Sequence, residues 1–278
     1  MEYKYLVSFN TQRSLCVLKI NGIITLENIS SRTGTESSGY NISAFLENGH
    51  NTIRLLMGRM PFDKDTKKFH KESWCEATIR KVSSHDEQGI IISHIKLTVD
   101  EHGNVTTKQS INTNEKFDYA NMSTTKGEIN LFAAQKKFSV NGLPNWMWTK
   151  ATPVTENDLP AIKTIYQEIS NAFSHHDLDK VWKMSQPAWE EWAIADNSSS
   201  KIFFDSMGFE NKLKDKFIIK EPDWENYKLV SYKSGKLFRL ERGALGSSPI
   251  IFYNKENKKN SHYNPYLSII NGKVVIAR

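Results

Sequence analysis

At 278 residues the chain exceeds the usual span of one domain, so two domains are expected. Its 38% hydrophobic and 11% aromatic content is enough to build cores and argues against wholesale disorder. The net charge of +6 is spread thinly, with 19 Lys/Arg against 15 Asp/Glu in residues 1–150 and 18 against 16 beyond. No dense basic stripe interleaved with aromatics marks a nucleic-acid surface, so nucleic acid is not an expected partner.

The first twenty residues break their apolar positions with Glu2, Lys4, Asn10, Gln12 and Arg13. That is strand patterning rather than a secretory leader. No run reaches the roughly 20 apolar residues of a membrane-spanning helix. A cytoplasmic protein with no membrane partner is therefore expected. Cys16 and Cys75 each sit in a strand-like run, and a secreted scaffold of this size could join them. Buried reduced thiols are the reading adopted here.

Residues 1–150 read as β. Asn21-Gly22, Asn48-Gly49, His102-Gly103-Asn104 and Asn141-Gly142 punctuate β-branched and aromatic runs. Asn-Gly accepts the positive φ angles of a type I′ turn, so residues 15–29 are expected to form a hairpin. Residues 90–111 form a second, around the turn at 101–104. Short strands without intervening amphipathic helices predict an antiparallel β-sandwich of jelly-roll type. Segment 30–40 is read as a polar loop and segment 60–72 as a charged one.

The pattern changes near residue 151. Leu159, Ile162, Ile165, Ile169 and Phe173 recur at steps of three and four, one apolar helical face, with Thr155 or Asn157 as cap and Pro160 in the first turn. A short helix is expected at 178–185. Pro187 suits the first position of another helix, because inside a helix it forfeits a hydrogen bond. Residues 200–207 form a further helix, stopped by Gly208. Strands return beyond it, with hairpins around 233–236 and Asn271-Gly272. The second domain, 151–278, is thus α+β, helices first and antiparallel sheet after, with the boundary near 145–157.

Three resemblances follow from these segments. Asn41, Ile42, Ser43, Leu46, Gly49, Asn51 and Ile53, after Asn21-Gly22, resemble a segment of galactose-binding-like jelly rolls; the likeness implies a turn into a core strand with Ile53 and Leu55 inward. The helices-then-sheet order of the second half resembles the cone-shaped ketosteroid-isomerase-like fold, which hosts enzymes and binding modules alike. The whole arrangement, through the helices at 177–193 and the closing Asn264–Arg278 segment, is similar to immunity proteins encoded beside contact-dependent toxins such as type VI secretion effectors.

Motifs of chemistry are sparse. His175, His176, Asp177 and Asp179 are the densest group of potential metal ligands, but adjacent helical side chains diverge. Histidine suits a helix C-terminus and Asp177 the cap of the next helix, so no metal is expected. Glu190 and Glu191 diverge by about 100° on a helix and read as solvated. Trp182, Trp189 and Trp192 read as core beneath the sheet. Trp146 and Trp148 alternate, which buries one and exposes the other, as an interdomain wedge or a contact. No nucleophile elbow or phosphate-cradling glycine loop occurs, and no cofactor is expected.

Residues 153–199 hold 3 Lys and 8 Asp/Glu, whereas 200–278 hold 15 Lys/Arg and 8 Asp/Glu. An acidic helical layer can steer a basic partner. The leading expectation is a non-enzymatic immunity protein that occludes a toxin's active site. Its candidate contacts are Asp177, Asp179, Glu190, Glu191 and Asp196, with Arg32, Tyr40, Asp63 and Lys67 from loops of the first half. A carbohydrate-binding module, or a small-molecule enzyme with a pocket near Trp182 and Tyr166, are the alternatives.

Overall fold

The computed structural model describes residues 1–60, 68–111, 117–120, 131–214 and 217–278. The chain divides into two compact units, Met1–Pro144 and Asn145–Arg278.

In the first unit, β1 (Tyr3–Gln12) leads into the hairpin of β2 (Leu15–Ile20) and β3 (Ile23–Glu27), then β4 (Glu36–Asn41) and β5 (Gly49–Gly58). There follow β6 (Trp74–Ser83), β7 (Asp86–Val99), β8 (Val105–Thr106), β9 (Phe117–Ala120) and β10 (Phe132–Val140). Two five-stranded sheets result, ordered β4-β1-β6-β7-β8 and β3-β2-β5-β10-β9, antiparallel throughout. The period-two pattern decides which side chains meet between them. Tyr5, Val7 and Phe9, Leu18 and Ile20, Ile53 and Leu55, and Ala77 and Ile79 are all buried. This is the antiparallel sandwich that the turn spacing predicts. Its first hairpin turns on Asn21 and Gly22, both at positive φ.

The segment singled out in sequence is a polar bracket at one end of this core. Asn51 is fully buried; its Oδ1 accepts from Asn21 Nδ2 at 2.9 Å and from the Glu47 N–H at 3.2 Å, and its Nδ2 donates to Glu47 O at 2.8 Å. Asn21 Oδ1 in turn accepts from the Thr52 N–H at 3.0 Å. Ser43 Oγ accepts from the Tyr5 N–H at 2.8 Å, fixing β1 against the turn that feeds β5. Buried backbone groups outside a ladder need such partners.

Two expectations for this unit are corrected. Cys16 and Cys75 are not reduced thiols but a disulfide, with α-carbons 6.1 Å apart, inside the range a bridge tolerates. Their strands belong to opposite sheets and both side chains face inward, a juxtaposition visible only once the strands are paired. Segment 30–40 is not wholly a loop, since β4 begins at Glu36 and pairs with β1 from Thr11 to Leu6. Serine and glycine have low strand propensity, but backbone ladder bonds at a sheet edge override it. Gly39 is required there, because a Cβ would lie 2.4 Å from Val7 O.

The second unit opens with the helices α1 (Leu159–Ser174), α2 (Leu178–Asp196), α3 (Ser200–Ser206) and α4 (Phe209–Lys214). Seven strands follow: β11 (Phe217–Ile219), β12 (Lys228–Tyr232), β13 (Leu237–Glu241), β14 (Ile250–Asn254), β15 (Asn260–Tyr263), β16 (Leu267–Ile270) and β17 (Lys273–Ile276). They form antiparallel sheets ordered β11-β14-β15 and β12-β13-β16-β17, an α+β unit. The predicted face of α1 supplies Ile162, Ile169 and Phe173 to a core shared with Phe209, Phe238, Phe252 and Leu267. Asp158 receives the Thr155 N–H at 2.8 Å before α1, and Pro160 lies in its first turn.

Here too the structure departs from the sequence reading. The expected pair of helices on either side of Pro187 is a single helix. Val181, Ser185, Ala188 and Trp189 make one buried face that spans the proline, and Trp189 Nε1 donates to Ser185 Oγ at 2.9 Å across it. Burial of that face outweighs the forfeited bond. Trp146 and Trp148, expected to split between core and surface, are both buried, with the Arg278 guanidinium 5.4 and 6.0 Å from their ring centres. The reason is that the chain leaves extended geometry at Met147, where a 3₁₀ turn replaces strand alternation.

Candidate functional site

The residues with most chemistry to offer a partner converge where α2 begins. Asp177 caps α2 by accepting from the Lys180 N–H at 2.9 Å, which leaves Asp179 exposed in the first turn and Trp182 half-buried one turn on. Asn197, in the left-handed conformation, ends α2 and reverses the chain into α3. Gly208, at φ +65°, then turns α3 into α4, and Phe209 is buried against Phe173 of α1, Phe204 of α3 and Phe252 of β14. A side chain at that φ would be strained.

These turns enclose a cavity of about 350 Å³, at the lower end of ligand-sized clefts. Its floor is aromatic. Phe204 stands edge-on to Trp182 at 5.2 Å and to Phe209 at 5.6 Å between ring centres. Its rim is charged: Asp179 from α2, Lys201 and Asp205 from α3, and Glu210 with Asn211 from α4. Lys201 Nζ donates to Asp205 Oδ1 at 2.6 Å and lies 5.7 Å from the Trp182 ring and 5.1 Å from Phe204. Lys214 pairs with Glu210 and holds its carboxyl below the usual range. Behind the floor, Lys212 lies over Phe209 and Phe252, where burial lowers its pKa.

The sequence-derived contact residues distribute unevenly around this site. Asp179 is in it. Glu190 is exposed on α2 and accepts from Gln186 Nε2 at 2.7 Å; eleven residues at 1.5 Å rise put it about 16 Å from Asp179 along the helix. Asp177 is spent partly on its cap, and Asp196 is half-buried at the end of α2. Glu191 points away, accepting from the Met147 N–H at 2.6 Å and from Arg278 Nη1 at 2.5 Å. In the first unit Arg32 is exposed, whereas Tyr40 lies in β4 with its hydroxyl 3.4 Å from Thr25 O. Asp63 and Lys67 lie outside the described residues. His175 ends α1 with Nδ1 against Asn171 O at 2.8 Å, and His176 takes a positive φ.

Sequence reasoning missed Lys201, Phe204, Asp205, Phe209 and Glu210. Phe203-Phe204 and Phe209 were legible as apolar positions, but a cavity built by three separate helices leaves no local spacing signal.

Elsewhere among the described residues, several buried ionisable groups bind one another. Arg239 Nε donates to Glu241 Oε1 at 2.5 Å, Tyr232 donates to the same oxygen, and the guanidinium lies 4.3 Å from the Tyr266 ring centre. Burial, then the Glu241 charge, push the Tyr232 phenol far up, and burial takes Tyr266 to about 12. Gly246 closes over this group, for a Cβ there would come 2.6 Å from Glu241 Oε2. Tyr166 is buried in the core, its hydroxyl accepting from the Leu240 N–H at 3.2 Å, and does not line the cavity beside Trp182. In the first unit His94 accepts from the Ile111 N–H at 2.8 Å through Nδ1, so its Nε2 donates to Glu76 at 2.9 Å.

No protein-family model, no curated protein and no solved structure matches the chain.

Proposed function

We propose that this chain is an immunity protein, which binds a cognate bacterial antagonism toxin and covers its active site. The observation that carries the reading is the solvent-facing side of the helical layer. There an aromatic-floored cavity, rimmed by three carboxylates and one lysine, opens beside α2, which also exposes Glu190. Among the described residues, several other ionic contacts are turned inward: Glu191 to Arg278, Glu241 to Arg239 and Tyr232, and Glu76 to His94. At this cavity the recognition chemistry on offer is aromatic and anionic, suited to a basic side chain on a partner.

The disulfide bears on where that encounter takes place. A bridge between the two sheets persists in an oxidising compartment and is rare in the cytoplasm. We therefore assign the chain to an oxidising compartment rather than the cytoplasm suggested by its opening residues. Among the described residues, no helix is long and apolar enough to cross a membrane.

Co-expression with the toxin encoded by the adjacent gene tests the reading. Cells carrying this chain, directed to the compartment where the toxin acts, survive toxin induction. Survival no better than with an empty vector contradicts it.

A further inference from the structure

We propose that the cavity between α2, α3 and α4 is a socket for one cationic side chain, a lysine or arginine, presented by a protein partner. The proposal rests on the immunity reading for the identity of that partner, but the chemistry of the socket stands on its own. Of the four charged residues that line the cavity, three are carboxylates. Asp205 is neutralised by Lys201 and Glu210 by Lys214, both through exposed pairs of small worth. Asp179, the third, is exposed.

The floor has already selected for positive charge. Lys201 rests over Trp182 and Phe204, and Lys212 over Phe209. Ring faces carry negative charge density, so cations within about 6 Å of a ring centre are held there. The fold's own ammonium groups thus already lie against these rings, of which Trp182 keeps the most exposed surface. A guest with an apolar stem and a charged tip matches both parts. Its methylenes pack against the half-buried Trp182 beside Lys201, and its charge reaches Asp179 and Glu210. An anionic guest would instead meet three carboxylates against the single lysine of the lining.

The test uses N-acetyl-arginine methylamide as the probe, with its uncharged citrulline counterpart as control, titrated into the full chain and followed by NMR. The arginine probe is expected to shift the Trp182 indole and the Gly208 and Asn211 amides saturably, with citrulline weaker by about tenfold or more. Asp179→Asn together with Glu210→Gln removes the difference between the two probes, while circular dichroism confirms that the variant is folded. Equal shifts from both probes, or arginine shifts that ignore these substitutions, overturn the socket. A second arm separates the two readings. If the arginine probe binds but the adjacent toxin is not neutralised, the socket stands and the immunity reading falls. If the toxin is neutralised with undiminished affinity by the double variant, the immunity reading stands and the socket falls.

Discussion

Cys16 on β2 and Cys75 on β6 join the two sheets of the sandwich through its interior, 59 residues apart in sequence. Chain-entropy considerations assign a closed loop of that length about 4 kcal/mol of stabilisation. The Cys16→Ala, Cys75→Ala double variant is therefore expected to lose roughly that much in denaturant unfolding, with reductant doing the same to the parent chain. Thiol titration of the chain unfolded without reductant is expected to find none. Two free thiols under those conditions would count against the bridge and against the compartment drawn from it.

Asn51 holds the entrance to β5 with four hydrogen bonds, to Asn21, Glu47 and Gly49. Asn51→Ala strands buried donors and acceptors, and the expected loss is about 2–3 kcal/mol. Equilibrium urea unfolding checks this. A loss below about 0.5 kcal/mol would mean that water replaces the amide without penalty.

Pro187 runs through the middle of α2 on its exposed side. Pro187→Ala restores the N–H that can donate to Lys183 O. Helix preference favours alanine by about 3 kcal/mol, reduced by the greater freedom of the unfolded chain. A net gain of about 1–2 kcal/mol is expected from thermal unfolding. An unchanged or lower melting temperature would show that α2 depends on the proline for its packing.

Glu191 and Arg278 form an ion pair in which the Arg278 side chain is fully buried. Burial lowers the pKa of that guanidinium to about 10, against the raising effect of Glu191. Glu191→Ala removes the carboxylate paired with a buried charge and is expected to cost about 3–5 kcal/mol. The near-isosteric Glu191→Gln, which keeps an acceptor for the Met147 N–H, is expected to cost less. Equal losses from the two substitutions would assign the effect to the lost charge rather than to the hydrogen bond.

His262 is half-buried with Nδ1 against Ser248 O, and burial lowers its pKa below the ordinary imidazole value. The unfolded chain then binds more protons than the folded one as pH falls through about 6.5, so stability falls with pH in that window. The melting temperature of the parent is expected to drop more between pH 7.5 and 5.5 than that of His262→Asn. Parallel curves would remove His262 from the acid response.

Much of this architecture is legible in sequence because its signals are local. Asn21-Gly22 and Asn271-Gly272 carry their own turn geometry, and both adopt the positive φ angles that the hairpins require. The apolar steps from Leu159 to Phe173 define α1 before any tertiary contact is known. What escaped depends on distant partners. β4 is a strand only because β1 supplies its ladder, Cys16 meets Cys75 only across two sheets, and α2 survives Pro187 only because its buried face spans it. The cavity is the extreme case. Asp179 stood out for its charge, but its companions Asp205 and Glu210 reach it only through the turns at Asn197 and Gly208.

The most direct test of the proposed role titrates this purified chain into the purified product of the neighbouring gene, the proposed cognate toxin, while following that product's own activity. Activity is expected to fall linearly to the baseline at one equivalent and to return when the complex is competed apart. Full toxin activity in the presence of several equivalents would contradict an inhibitory partner.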